Sequence, residues 1–178
     1  SVEVIAIEDG GIGDRVCADL TSILEIGEGL LIGSSANALA LIHGETMESE
    51  FVPPRPFRVN AGAVHAYVLM ADGSTKYLSE LTAGDAVSVC NSSGIARSAV
   101  IGRVKIESRP FLIVRFRHPE SGIHGQTFLQ QAETVRFISP TGEMPSVTST
   151  TVGDLLLARI GASARHIGQT VLSVAEER

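Results

Sequence analysis

Tryptophan is absent from the 178 residues, and the other aromatics are two tyrosines and six phenylalanines. So few stacking platforms argue against single-strand nucleic-acid binding. Positive charge is short as well. Fourteen Lys and Arg stand against 20 Asp and Glu, a formal net charge of -6, so no basic field exists to hold a phosphate backbone. Nucleic acid is not an expected partner. Hydrophobic residues make up 44%, yet stretches such as Leu30–Gly33 are cut by Gly, Ser or charge far short of the roughly 20 residues that span a bilayer. No membrane partner is expected either. Two cysteines, Cys17 and Cys90, lie far apart with no CxxC and no signal peptide, which excludes a disulfide framework and a zinc knuckle and suits a reducing, cytoplasmic setting. Also missing are GxGxxG after a strand, GxSxG and a P-loop. The initiator Met is absent too, and the opening stretch Val2–Ile7 is already strand-like, as in a piece whose upstream half is elsewhere.

What is present is alternation. Period-2 patterning and β-branched residues recur, while amphipathic stretches of helical period do not. The expected fold is all-β, with packed sheets or small barrels and few short helices. Expected strands are Val2–Ile7, Arg15–Asp19, Gly29–Ser34, Ala38–Gly44, Phe57–Asn60, Val64–Met70, Thr75–Ser79, Ala86–Cys90, Ala96–Glu107, Phe111–Phe116, Gln126–Gln130, Thr134–Ile138, Leu155–Ile160 and Thr170–Val174. Short helices are expected at Ser34–Leu39 and Ser79–Ala83. Residues 1–178 form one domain, with room for two small β subdomains dividing near 70–75. Three Gly-Asp pairs, at Gly13, Gly84 and Gly153, each precede an apolar stretch and read as a reused turn into a strand. Beside the first of them, alternation puts Arg15, Cys17 and Asp19 on one face.

Unusual residues concentrate between His43 and Tyr67. His43 and Glu45 are two apart, so on a strand they would face the same way and could share a proton, a metal or a substrate hydroxyl. A hydrogen-bonded surface pair reads as well from the spacing alone. In Pro53-Pro54-Arg55-Pro56-Phe57-Arg58 the prolines stiffen an extended segment, so Arg55 and Arg58 suit bidentate binding of a carboxylate, or equally salt bridges to Glu45, Glu48 or Glu50. Asn60-Ala61-Gly62-Ala63 reads as a small-residue turn that lets backbone approach a ligand, and His65 after it as a general base or a core histidine. Lys105, one of only two lysines, shares a strand face with Arg103 and Glu107. That row is a solvated face or, in a cleft, holds an amine base or nucleophile. Gln130, Glu133 and Arg136 read as sharing one strand. Arg165 and His166 complete the candidates, and His118 and His124 read as surface residues.

In order, GDRVCAD (13–19), GEGLLIGS (27–34), RPFRVNAGAVHAYV (55–68), TKYLSELTAGDAV (75–87), GRVKIESRP (102–110), LQQAETVRF (129–137) and ARHIG (164–168) resemble the archaeal-type 3-dehydroquinate synthases, or 3-dehydroquinate synthase II. The resemblance covers nearly all of this chain and the C-terminal half of the family's usual polypeptide. A sister branch, the 3-amino-4-hydroxybenzoate synthases, shares many blocks. The His43–Tyr67 region is more similar to the dehydroquinate branch. The resemblance implies conversion of 2-amino-3,7-dideoxy-D-threo-hept-6-ulosonate to 3-dehydroquinate, with NAD oxidising the amine and an intramolecular aldol step closing the ring, in aromatic amino acid biosynthesis. Implied partners are that amino-keto sugar acid and the family's N-terminal half. Under it, His65 or Lys105 would be the base, His43, Glu45 and Glu133 would accept protons from hydroxyls and the departing ammonia, and Arg55 and Arg58 would hold the carboxylate. Asn60, Arg165 and His166 would contact substrate.

The sister branch would make an aromatic product, with no net need for NAD but with a divalent metal as cofactor. A non-catalytic β-barrel binding module is the reading of a different class. Exposed strand edges would permit a homo-oligomer. Two positions depart from the family's pattern: Leu20-Thr21 follows Asp19 where Thr-Cys is common, and Gln131 stands where Asn is usual.

Overall fold

Two strands of unusual length organise the chain: β1 (Val2–Leu20) and β8 (Ala96–Arg117) pair antiparallel from Glu3 opposite Arg117 to Leu20 opposite Ile101. The computed structural model describes residues 1–50 and 52–161. The other strands are β2 (Glu28–Ser35), β3 (Ala38–His43), β4 (Arg58–Ala63), β5 (Tyr67–Leu69), β6 (Thr75–Tyr77), β7 (Ala86–Asn91), β9 (His124–Gln130), β10 (Leu155–Leu156) and β11 (Ala158–Ile160). Single 3-10 turns at Leu78–Glu80 and Val147–Ser149 are the helical content of the described residues. The fold is all-β, as the alternation indicates.

The long strands run through positions expected to break them. Gly10 and Gly11 are absorbed as a bulge between Asp9 and Ile12, with Gly11 taking φ +72°, and Pro110 sits opposite Ile12 beside that irregularity. Bulges and neighbouring edges are where a sheet tolerates an extra residue or a missing N–H. Each long strand then changes partner along its second edge. β1 meets β10 at Val2 and Glu3 and β4 from Arg15 to Asp19, while β8 meets β7 from Ala96 to Val100 and β9 from Phe111 to Arg117. The path continues from β7 to β2, β3 and β11, with β5 and β6 beside β2.

Several expected elements differ. Ser34–Leu39 is a β2–β3 hairpin and not a helix, its turn at Ala36-Asn37 closed by a hydrogen bond from Ser35 Oγ to Asn37 Oδ1. Thr134–Ile138 makes only single bridges, Ile42 with Phe137 and Arg136 with Ser146, so Gln130, Glu133 and Arg136 do not share a strand. Residues 70–74 form the turn between β5 and β6. Thr170–Val174, Arg165 and His166 lie outside the described residues.

The core explains which face of each strand is left for chemistry. Val16, Ala18, Val59, Ala61, Val114, Phe116 and Leu129 turn one face of β1, β4, β8 and β9 onto Leu30, Ile32, Ala40 and Ile42. On their other face β2 and β3 bury Leu31, Leu39 and Leu41, hence their nearly unbroken apolar sequence. Gly62 locks the packing of β4 on β9: it holds φ +110°, and a Cβ there would stand 2.3 Å from the Phe128 carbonyl oxygen. The Asn60–Ala63 segment is therefore strand, and its close approach is to β9.

Candidate functional site

Register across β4, β1 and β8 sets residues side by side in three rows, because directly opposed residues share a face. Arg58, Asp19 and Arg103 form one, Asn60, Cys17 and Lys105 the next, and Ala63, Arg15 and Glu107 the third. Val16 and Ala18, between them in sequence, point into the core. The alternation of Arg15, Cys17 and Asp19 thus produces a polar face, and all three are buried in it.

Asp19, 3% exposed, is clasped from both sides. Arg58 donates through Nε at 2.7 Å and Nη2 at 3.1 Å, and Arg103 donates through Nε at 2.8 Å. Burial opposes ionisation of Asp19, but the hydrogen bonds and charges of Arg58 and Arg103 hold its carboxyl below the usual range. Arg58 therefore spends its fork on Asp19, which is neither a substrate carboxylate nor one of the glutamates expected to pair with it. Arg55 reaches Glu45 only at 3.9 Å. The two arginines stiffened by proline do not form a free clamp.

Arg15 is the buried guanidinium of the face. Its Nη2 donates to Glu107 Oε1 at 2.8 Å and its Nη1 to Gln130 Oε1, which also accepts from Asn60 Nδ2 at 2.8 Å. Arg15 Nε and Asn60 Oδ1 are buried without a partner among the described residues. Each such orphan costs about 1–3 kcal/mol. Glu45 faces this group from the segment that returns beside β4, where Glu45 N donates to the Arg58 carbonyl at 2.8 Å and Arg55 N to the Glu45 carbonyl at 2.8 Å. Burial pushes the Glu45 carboxyl up, against the opposing charges of Arg58, Arg55 and Arg15. Burial likewise raises the Cys17 thiol, against Arg15 and Arg58. Lys105, opposite Cys17, is exposed.

His43 does not join Glu45. The regular alternation of β3 ends at His43, and Gly44 turns the chain, donating its N–H to the Glu28 carbonyl. His43, 2% exposed, accepts a hydrogen bond from Gly27 N at 2.9 Å on Nε2. Burial, helped by the charge of Arg136, brings its pKa down to about 4. It is a neutral core acceptor. Glu133 is exposed in the turn after β9.

His65 stands elsewhere, at a cleft of about 320 Å³ lined by Ser34, Ser35, Arg115, His124, Gln126 and Phe128 among others. Its ring meets Phe128 edge-on with centroids 4.8 Å apart, and its Nε2 lies 3.5 Å from Ser34 Oγ. Although His65 is exposed, partial desolvation lowers its pKa from 6.5, which favours the neutral imidazole at pH 7. Arg115 donates to Gln126 Oε1 at 2.7 Å and pairs with Glu8 at 3.1 Å. His124, read as a surface residue, opens β9 at the cleft. One strand links the regions: Gln130, Phe128 and Gln126 are alternate residues of β9, holding Arg15 with Asn60, His65 and Arg115 in turn. Spacing reveals Arg15; its partner Gln130 is 115 positions away and carries no local signal.

Among the described residues no three His, Cys, Asp or Glu converge as a metal site, and no helix is long and apolar enough to cross a membrane. Nor do the described residues offer a helix N-terminus on a glycine-rich phosphate turn, so they do not fit a dinucleotide of the familiar kind.

Comparison with known proteins bears on the whole length. The family model described as the 3-dehydroquinate synthase II C-terminal domain matches residues 1–178. A 3-dehydroquinate synthase of Methanosphaera stadtmanae is 49% identical over 168 residues, covering 94% of this chain and 46% of the relative. Those of Methanothermobacter thermautotrophicus and Methanoculleus marisnigri are 48% and 47% identical, covering 94% and 95% of this chain and 44% and 51% of the relatives. The chain spans about half the length of the curated relatives it matches.

Proposed function

Since the chain belongs to the 3-dehydroquinate synthase II family, we propose that it supplies the ring-closing half of an enzyme making 3-dehydroquinate from 2-amino-3,7-dideoxy-D-threo-hept-6-ulosonate in the cytoplasm. In this reading NAD, when bound, would supply the hydride acceptor for oxidation at the amine-bearing carbon, with hydrolysis releasing ammonia. The described residues lack the familiar helix and glycine-rich dinucleotide turn, and we assign that oxidation to the remainder of the relatives' length and derive no step through it here. The observation that carries the reading is the position of His65, exposed beside Ser34 at a cleft of about 320 Å³, large enough for a seven-carbon acid. His65 takes a proton from the methyl group beside the substrate ketone, and the resulting enolate carbon attacks the 2-oxo carbon to close the ring. The alkoxide formed takes a proton back, so the step is redox-neutral. Arg115 and Gln126, held to each other at 2.7 Å, steady the substrate's oxygens. Ser34 orients the imidazole.

The test supplies substrate and NAD to the chain, alone and with the polypeptide that precedes the matched region in its relatives, following NADH by absorbance and dehydroquinate by mass. Dehydroquinate is expected when both halves are present. His65→Gln should lower its formation by about 10²–10⁴-fold, the usual worth of a general base, while NADH formation continues. Unchanged cyclisation in His65→Gln, or no product in any combination, overturns the reading.

A further inference from the structure

A second cleft opens on the face of β2 and β3 that is turned away from the main core. Leu31 of β2, Leu41 of β3, Leu69 of β5 and Leu157 line a space of about 360 Å³ that shares no residue with the cleft at His65. A concavity of that size, mainly apolar and with few polar groups, is the usual form of a small-molecule site. Its neutral polar groups ask for little. Ser88 Oγ and Cys90 Sγ face each other at 3.6 Å, and Asn91 Oδ1 accepts from the backbone N–H groups of Ser93 and Ile95. Ser92 is a hydroxyl open to solvent at the rim.

Arg159 is different. On β11 it stands opposite Leu39, and opposed residues share a face, so its side chain belongs to the side where Leu31, Leu39 and Leu41 cluster. Its neighbours Ala158 and Ile160 pack on the main core instead. Arg159 is the one charged residue lining the cleft, and among the described residues no ion pair or hydrogen bond engages its side chain. A single unmatched guanidinium calls for one negative charge, and the leucine floor leaves nothing to bond a sugar's hydroxyls or a second anionic group. We propose that this cleft binds a small apolar carboxylate. Its hydrocarbon body lies on Leu31, Leu41, Leu69 and Leu157, and its carboxylate meets the fork of Arg159 in the two-point geometry that guanidinium and carboxylate share.

The experiment titrates octanoate into the 178-residue chain by calorimetry, beside octanamide, which keeps the body and loses the charge, and butyrate, which keeps the charge and loses most of the body. Octanoate should bind more tightly than either. Arg159→Gln should weaken octanoate by about fivefold, the upper worth of an ion pair open to solvent, and leave octanamide unchanged. Arg159→Lys, which keeps the charge without the fork, should fall between parent and Arg159→Gln. Thermal unfolding checks that each variant is folded. Leucine methyl resonances locate the ligand: those of Leu31, Leu69 and Leu157 should shift on adding octanoate while the His65 imidazole stays unmoved. Equal affinity for octanoate and octanamide, unaltered octanoate affinity in folded Arg159→Gln, shifts at His65 in place of the leucines, or no binding of octanoate overturns the site. None of these results bears on dehydroquinate formation by the two halves, so the proposed function stands or falls separately.

Discussion

Arg15 on β1 and Gln130 at the end of β9 are hydrogen-bonded across 115 positions of sequence, and the same Gln130 oxygen accepts from Asn60 on β4. One acceptor thus ties three strands where the polar face meets the core. Gln130→Ala should leave two buried donors unmatched and cost about 2–3 kcal/mol, read from urea unfolding at pH 7. Gln130→Glu keeps the acceptor and should retain most of the stability. Equal losses in the two variants would show that packing of the side chain, and not its oxygen, matters.

Asp19→Asn leaves Arg58 and Arg103 without their counter-charge in a site where the carboxylate is 4% exposed. Arg58 is 12% exposed, and breaking that buried pair from one side costs about 3–5 kcal/mol, while Arg103, 62% exposed, is screened by solvent and adds little. The sign with pH follows from a folded pKa held below the unfolded one. Asp19 contributes its full stability above the ordinary aspartate range, and that contribution is lost as pH falls through the lower folded value. The parent should therefore lose stability relative to Asp19→Asn as the solution is acidified below about pH 4. A constant difference between the two proteins across that range would count against the ion-pair account.

His43 titrates in the folded chain at about 4, against 6.5 for a free imidazole. The unfolded chain binds the proton first, so stability present above pH 6.5 falls as pH drops toward 4, by an amount of order 3 kcal/mol. His43→Gln should flatten the unfolding free energy between those values. A His43 imidazole resonance that titrates near 6.5 in the native state would refute it.

Gly62→Ala sets a Cβ at 2.3 Å from the Phe128 carbonyl at a φ of +110°. We expect a loss of about 3 kcal/mol or more, from left-handed strain and separation of β4 from β9. Thermal unfolding measures it, and a change under about 0.5 kcal/mol, within the usual scatter of surface substitutions, would mean the two strands are not in contact as described. Gly73→Ala, in a turn with open space around it, supplies the comparison for strain alone.

Much of the scaffold was legible in the chain itself. Alternation in Val16-Cys17-Ala18-Asp19 separates a core face from a polar one whatever the strand pairs with, because strand geometry fixes the period at two. The unbroken Leu30–Ile32 and Leu39–Ile42 runs likewise mark strands covered on both sides. Local punctuation misled where a partner could absorb it. Gly10-Gly11 and Arg109-Pro110 read as ends of strands, yet each sits inside one, because pairing along the rest of β1 and β8 outweighs a bulge.

Composition, periodicity and the seven blocks by themselves determined the all-β class, the polar face of β1 and membership of the family. Only the tertiary structure decided which charges were free. The prolines around Arg55 and Arg58 describe stiffness, but whether a guanidinium is spent depends on which carboxylate lies opposite it, and Asp19 is 39 positions from Arg58. His43 and Glu45 share a period in sequence and part company because Gly44 turns the chain against Glu28. The strength of an ion pair and the pKa of an imidazole are set by desolvation and distance, and both are properties of neighbours brought together by the sheet.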